Sequence, residues 1–244
     1  MYRTVCITSI LFLLISAPFA YAETQNLTAD EYYLMGNAYS SFGQFQNATI
    51  EYRNAVALDA DFTDAWNNLG IALNRQGKHE EALSAAENAT RSSPEDAEAW
   101  YNRGYTLGML GKYDEEIASY QRALSIRPNL TNAWENLGVV YFEQGSYDLA
   151  IAAFRNETIH DPDNAIAWYY LGTVYELIED LPSAVDSFEK AVELEPNLTM
   201  VRDRLETAKQ NLTSSDNSAN DSEGHENQGN TGFLSGILGF LHPE

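Results

Sequence analysis

Positive charge is scarce in this chain. Lys and Arg number 14 against 36 Asp and Glu, which gives a formal net charge of −22 and a pI near 4.3. That balance argues against nucleic-acid phosphates and anionic membrane surfaces as partners, and no basic stripe interrupts it. The acid is spread through the chain and reads as a solvated exterior. Cysteine is nearly absent. The single one, Cys6, falls in the first 22 residues, so the remainder has no disulfide framework, no cysteine metal site and no cysteine nucleophile. The four histidines, His79, His160, His225 and His242, form no His-Glu-x-x-His helix. A Gly-x-Ser-x-Gly elbow, a phosphate loop and a dinucleotide fingerprint are also missing. Adjacent carboxylates such as Glu115 and Glu116, or Glu80 and Glu81, diverge on a helix surface. EF-hand spacing is absent, and Asp161-Pro162-Asp163-Asn164 reads as a turn. The chain is therefore expected to be no enzyme, with no cofactor and no metal.

Apolar runs are short. The one from Val5 to Ile15 follows Arg3 and precedes Ala20-Tyr21-Ala22, a small-residue cleavage site, so residues 1–22 read as a secretory signal cleaved after Ala22. A spanning helix needs ~20 apolar residues, so no integral membrane span is expected in the mature chain. The expected location is outside the cytoplasmic membrane, extracellular or at the cell surface. The alternative is an uncleaved N-terminal helix that anchors the protein to the outside of the membrane. Residues 23–28 form a lead-in.

What the chain has is period. Trp66, Trp100, Trp134 and Trp168 stand 34 residues apart, as do Gly70, Gly104, Gly138 and Gly172. In the stretch 131–164, Trp134, Leu137, Gly138 and Tyr141 line one helical face. Gly145 breaks the run, Tyr147, Ala150, Ile151 and Phe154 resume it, and Pro162 ends it. Two helices of roughly 12 residues share too little surface to stand alone, so the unit needs neighbours.

This pattern resembles the tetratricopeptide repeat (TPR) family: Trp, two residues, Leu-Gly, two residues, Tyr, then Ala, three residues, Phe, then Pro. The resemblance implies an all-α fold, a right-handed superhelical solenoid of five helix-turn-helix repeats plus a C-terminal capping helix. The repeats run over 29–62, 63–96, 97–130, 131–164 and 165–198. The first diverges most, with Tyr32 in the Trp column and Ala60 in the Pro column. Other departures are Arg103 in the Leu column, Glu116 and Glu157 in Ala columns, and Glu179 where a turn glycine is usual, with Pro182 close behind. Junctions there are expected to be more open or differently angled.

In that family the first helices line a concave groove that receives an extended peptide or a partner helix. Carried over to this chain, the groove candidates are Tyr33 with Asn37, Asn67 with Ile71, Tyr101 with Tyr105, Glu135 with Val139, and Tyr169 with Thr173, with Asn68, Asn102 and Asn136 beside them. Tyrosine offers rigid apolar area with a polar tip, and asparagine bonds both donors and acceptors of a peptide backbone. Helix packing is the competing role for Tyr101 and Tyr105. The family's Lys, Arg and Asn clamp for a carboxylate terminus is not supported, because Lys78, Lys112, Lys190 and Lys209 all lie outside the first helices. A neutral, apolar or mildly basic segment is the expected ligand.

Residues 199–212 read as the capping helix, with Met200, Val201, Leu205, Ala208 and Leu212 inward. Residues 213–232, polar and rich in Ser, Asn, Asp and Gly, read as a disordered linker. Residues 233–244 begin with the apolar Phe233 to Leu241, too short to span a bilayer, which reads either as an end folding back on the solenoid or as a weak membrane or protein docking motif. Eight Asn-x-Ser/Thr triplets, at Asn26, Asn47, Asn88, Asn129, Asn156, Asn197, Asn211 and Asn220, exceed the roughly three expected by chance and read as N-glycosylation candidates. The expected function is a non-enzymatic, exported scaffold that binds protein. A glycosylated structural component of the envelope, or an accessory subunit that holds a catalytic partner, is the alternative.

Overall fold

A computed structural model describes residues 27–220, with side chains described to 214. Residues 1–22 that read as a signal, most of the lead-in, Asn26, the later part of the stretch that reads as a linker and the apolar residues 233–244 lie outside the described residues. Those described form eleven helices: α1 (Ala29–Ser41), α2 (Phe45–Leu58), α3 (Thr63–Asn74), α4 (His79–Ser92), α5 (Ala97–Met109), α6 (Tyr113–Ile126), α7 (Thr131–Glu143), α8 (Tyr147–His160), α9 (Ala165–Leu177), α10 (Leu181–Leu194) and α11 (Thr199–Asn220). Helices α3, α5, α7 and α9 each pack first on their hairpin partner and then on the second helix of the preceding repeat, α1 packs on α2, and α11 packs on α10. The result is an all-α solenoid.

Local chemistry sets the hairpins. Gly145 takes φ +71 at the α7–α8 turn, where Gly145 N–H donates to the Phe142 carbonyl and Ser146 N–H to the Tyr141 carbonyl. The left-handed region favours glycine because it has no Cβ. In the last repeat Glu179 holds the same conformation at φ +64, so the turn survives without its glycine. Pro182 does not break α10, since it sits in the first turn, where its missing N–H is not needed. Thr28 and Glu31 form a capping box on α1, and the side chains of Asp96, Asn164 and Asp180 cap α5, α9 and α10.

Packing within a repeat turns on the helical glycine. A Cβ on Gly138 would lie 2.6 Å from the ring of Phe154, and Gly36, Gly104 and Gly172 meet Tyr52, Tyr120 and Phe188 in the same way. The rings are almost fully buried. Repeat 2 has Ala86 in place of the ring and packs its helices through Ala82, Ala85 and Ala86 instead. Most large buried side chains gather in two clusters, one in repeats 1 and 2 and one from Tyr120 to the cap, with the fully buried Leu107 in neither.

The capping helix is longer than the sequence pattern predicts. It continues past Leu212 to Asn220, into the stretch read as linker, because residues 213–220 include no proline or glycine to stop it. Val201, Leu205 and Ala208 are buried against the last repeat. Among the described residues no helix is long and apolar enough to cross a membrane.

Candidate functional site

First helices of neighbouring repeats touch directly, α1 on α3 and α3 on α5, as the inner wall of a curved solenoid must. Side chains on this wall fall into three groups. The first is a hydrogen-bonded ladder. Asn68 Nδ2 donates to Asn37 Oδ1 at 2.8 Å and to the Tyr33 hydroxyl at 3.3 Å, and the Tyr52 hydroxyl donates to Asn37 Oδ1 at 2.8 Å. One repeat pair further on, Asn136 Nδ2 donates to the Tyr101 hydroxyl at 3.3 Å. Tyr33 also leans on Phe62, with ring centres 4.9 Å apart, and Tyr101 on Tyr120 at 5.8 Å. The bonds of Asn68 to Asn37 and Tyr33, and of Asn136 to Tyr101, join repeat to repeat. Tyr33 and Tyr101 pack between neighbouring helices.

The second group is buried, and this narrows the candidates. Tyr169 is 5 % exposed and its hydroxyl points at Met200 Sδ, 3.9 Å away in the cap. Thr173 is 2 % exposed. Asn67 is also buried, its Nδ2 reaching Asp96 Oδ2 at 3.4 Å. These three face neighbouring elements rather than an open groove, because α11 covers the last repeat and the start of α5 covers Asn67. Asn102 is half-buried, and its main-chain carbonyl accepts from Thr106 Oγ1.

The third group is open. Tyr105 and Ile71 are about two-fifths exposed, Val139 and Glu135 are half-buried. Met109, one turn beyond Tyr105, is equally exposed and extends the apolar strip. Tyr170 was not among the expected residues; it replaces the asparagine of the Asn68, Asn102 and Asn136 column, and that substitution was the available signal. Its ring stacks on Phe154 at 5.3 Å.

Carboxyls lie on and under the wall. Burial raises Glu135 above the usual carboxylate range. Glu157 is fully buried, accepts one hydrogen bond from Asn164 Nδ2 at 2.9 Å, and is pushed up to about 8 by burial and then by the charges of Glu135 and Asp161. Glu116 sits against Gly108, where a Cβ would meet Oε1 at 2.6 Å, and is pushed up to about 7 by burial and by Glu143. Arg103 in the Leu column lies over the Trp100 ring and donates to Ser119 Oγ at 2.6 Å. The departures from the repeat pattern are thus packed into the solenoid. No group of three or more metal-ligating side chains occurs among the described residues.

The triplet asparagines lie elsewhere. Asn47, Asn88 and Asn156 are on second helices, Asn129 and Asn197 in loops between repeats, and Asn211 and Asn220 on α11. Asn47, Asn129, Asn197 and Asn211 are exposed, whereas the half-buried Asn88 and Asn156 each donate a side-chain amide hydrogen bond to a carbonyl of their own helix.

Family models for tetratricopeptide repeats match residues 36–77, 75–130 and 135–198. A structure of MamA is 25 % identical over 68 % of this chain and 97 % of its own, with a TM-score of 0.63. YrrB, described as a TPR protein with an unusual peptide-binding site, is 26 % identical over 73 % of this chain and 92 % of its own, at 0.61. A MamA fragment from Desulfovibrio magneticus RS-1 is 26 % identical over 66 % of this chain and 97 % of its own, at 0.53. No curated protein matches in sequence.

Proposed function

We propose, from the premise that this chain is a tetratricopeptide-repeat solenoid, that it is a non-enzymatic scaffold outside the cytoplasmic membrane that holds an extended peptide or partner helix on its first-helix wall. The observation that carries the reading is the strip of Ile71, Tyr105, Met109 and Val139. These apolar side chains are open or half-open on a wall where Asn68 is tied to Asn37 and Tyr33, and Asn136 to Tyr101. Such an arrangement presents preformed apolar area, so little ordering accompanies binding. The peptide-binding description of YrrB supports the same use of the fold.

The placement of the triplet asparagines favours this over a glycosylated structural component. None of those within the described residues lies on a first helix of a repeat, so glycans at these sites would leave the wall open.

Selection of displayed random peptides on the protein, followed by titration of a recovered peptide, tests the reading. Tyr105→Ser should weaken binding about tenfold, as expected when one aromatic anchor is removed. Unchanged affinity in that variant, or no recovered peptide, would sink it. Export is tested separately by N-terminal sequencing of protein from its native source. A terminus at Glu23 supports cleavage after Ala22, and an intact Met1 argues for the anchored alternative.

A further inference from the structure

We infer that the wall at repeats 3 to 5 seats one cationic side chain, an arginine or lysine of the bound peptide, on the Glu135 carboxylate between Tyr101 and Tyr170. The inference rests on the peptide-binding reading and adds the chemistry of the ligand. Three observations lead to it.

The chain repeatedly completes a ring and a carboxylate with its own arginine. Arg103 lies 5.7 Å from the centre of the Trp100 ring and 3.6 Å from Glu115. Arg204 lies 5.8 Å from the Phe188 ring centre and pairs with Glu176 at 2.7 Å. A guanidinium satisfies both because its plane faces the ring while its edge donates to the acid. At Glu135 the rings and the acid are present, and no hydrogen bond or ion pair to this carboxylate exists among the described residues.

Position is the second observation. The neighbouring Asn136 bonds the Tyr101 hydroxyl, which fixes Tyr101 beside the start of α7. Tyr170, in the next repeat, is close enough that the Glu135 charge contributes, after burial, to pushing its phenol up to about 12. Glu135 therefore stands between aromatic groups of the repeats before and after its own.

The third is field. A chain of net charge −22 adds a long-range attraction for cations, which steers a basic segment inward and repels an acidic one.

The test uses the heptapeptide acetyl-Ala-Leu-Ala-Arg-Ala-Leu-Ala-amide and its twin with citrulline, a neutral isostere, in place of arginine. Tyrosine-ring and Ile/Val methyl NMR signals of the protein are followed through each titration, in the wild type and in Glu135→Gln. The arginine peptide should bind about tenfold more tightly than the citrulline peptide. That preference should vanish in Glu135→Gln. Equal affinity of the two peptides, with Ile71 and Val139 signals moving in both titrations, would overturn the cation seat and leave the groove standing. An arginine preference that persists in Glu135→Gln would place the seat elsewhere and overturn it too. No movement with either peptide would overturn both readings.

Discussion

The indole Nε1 of Trp134 donates to the carbonyl of Pro128 at 2.7 Å. Trp66, Trp100 and Trp168 make the same bond to Ala60, Pro94 and Pro162 at 2.8 to 2.9 Å. Two columns of the repeat that look independent are thus one device, in which the ring of a first helix latches the turn that precedes it. The latch needs only a main-chain carbonyl, which explains why Ala60 serves where proline is missing. Trp134→Phe keeps most of the ring and removes the donor, so it should lower stability by about 1 kcal/mol. Urea unfolding of the two proteins measures it, and an unchanged midpoint would show the bond to be incidental.

The helical glycines separate into tight and loose sites. Gly138→Ala forces a Cβ against Phe154 and should cost about 1–3 kcal/mol. At Gly70 the nearest atom to an added Cβ is the Ala82 carbonyl oxygen at 3.4 Å, so Gly70→Ala should be close to neutral, helix propensity offsetting the contact. Thermal unfolding of both variants tests the contrast, which would be refuted by equal losses.

Glu179 carries a conformation that L residues avoid. Replacing it with glycine removes a penalty of about 1 kcal/mol, partly cancelled by the greater freedom of the unfolded chain. A small rise in melting temperature is expected for Glu179→Gly, and a fall would show that its side chain holds the turn.

Glu157 and Glu116 make stability depend on pH. Each folded-state pKa lies above the unfolded value of 4.5, so the fold prefers the protonated acid. Below 4.5 both states are protonated and the contribution is complete. As pH rises, the unfolded chain loses its protons first and stability falls, levelling off above about 7 for Glu116 and about 8 for Glu157. Groups facing Glu157 are Glu135, Asp161, Asn164 and Tyr170, and those facing Glu116 are Glu143 and Tyr120. None supplies a cation. The loss between pH 5 and 8.5 should amount to a few kcal/mol. Glu157→Gln should flatten the curve, and a stability that instead rose over this range in the wild type would contradict the burial of these acids.

Much of the architecture was legible before any coordinates. The Trp, Gly and Pro columns determine the helices, their turns and their stacking, because they act through contacts within one repeat or between adjacent ones. Period alone therefore specifies the solenoid, and Glu179 was recognisable as the residue holding a glycine's place. Other properties came only from the tertiary structure. Tyr33 and Tyr101 follow the same local pattern as Tyr169, yet only Tyr169 is buried, since α11 lies over the last repeat. Glu135, Glu157 and Tyr170 are remote from one another in the repeat pattern, and nothing about their spacing shows an acid with rings beside it and no cation. Exposure and electrostatic environment depend on what neighbouring helices cover, and that is decided by packing across repeats.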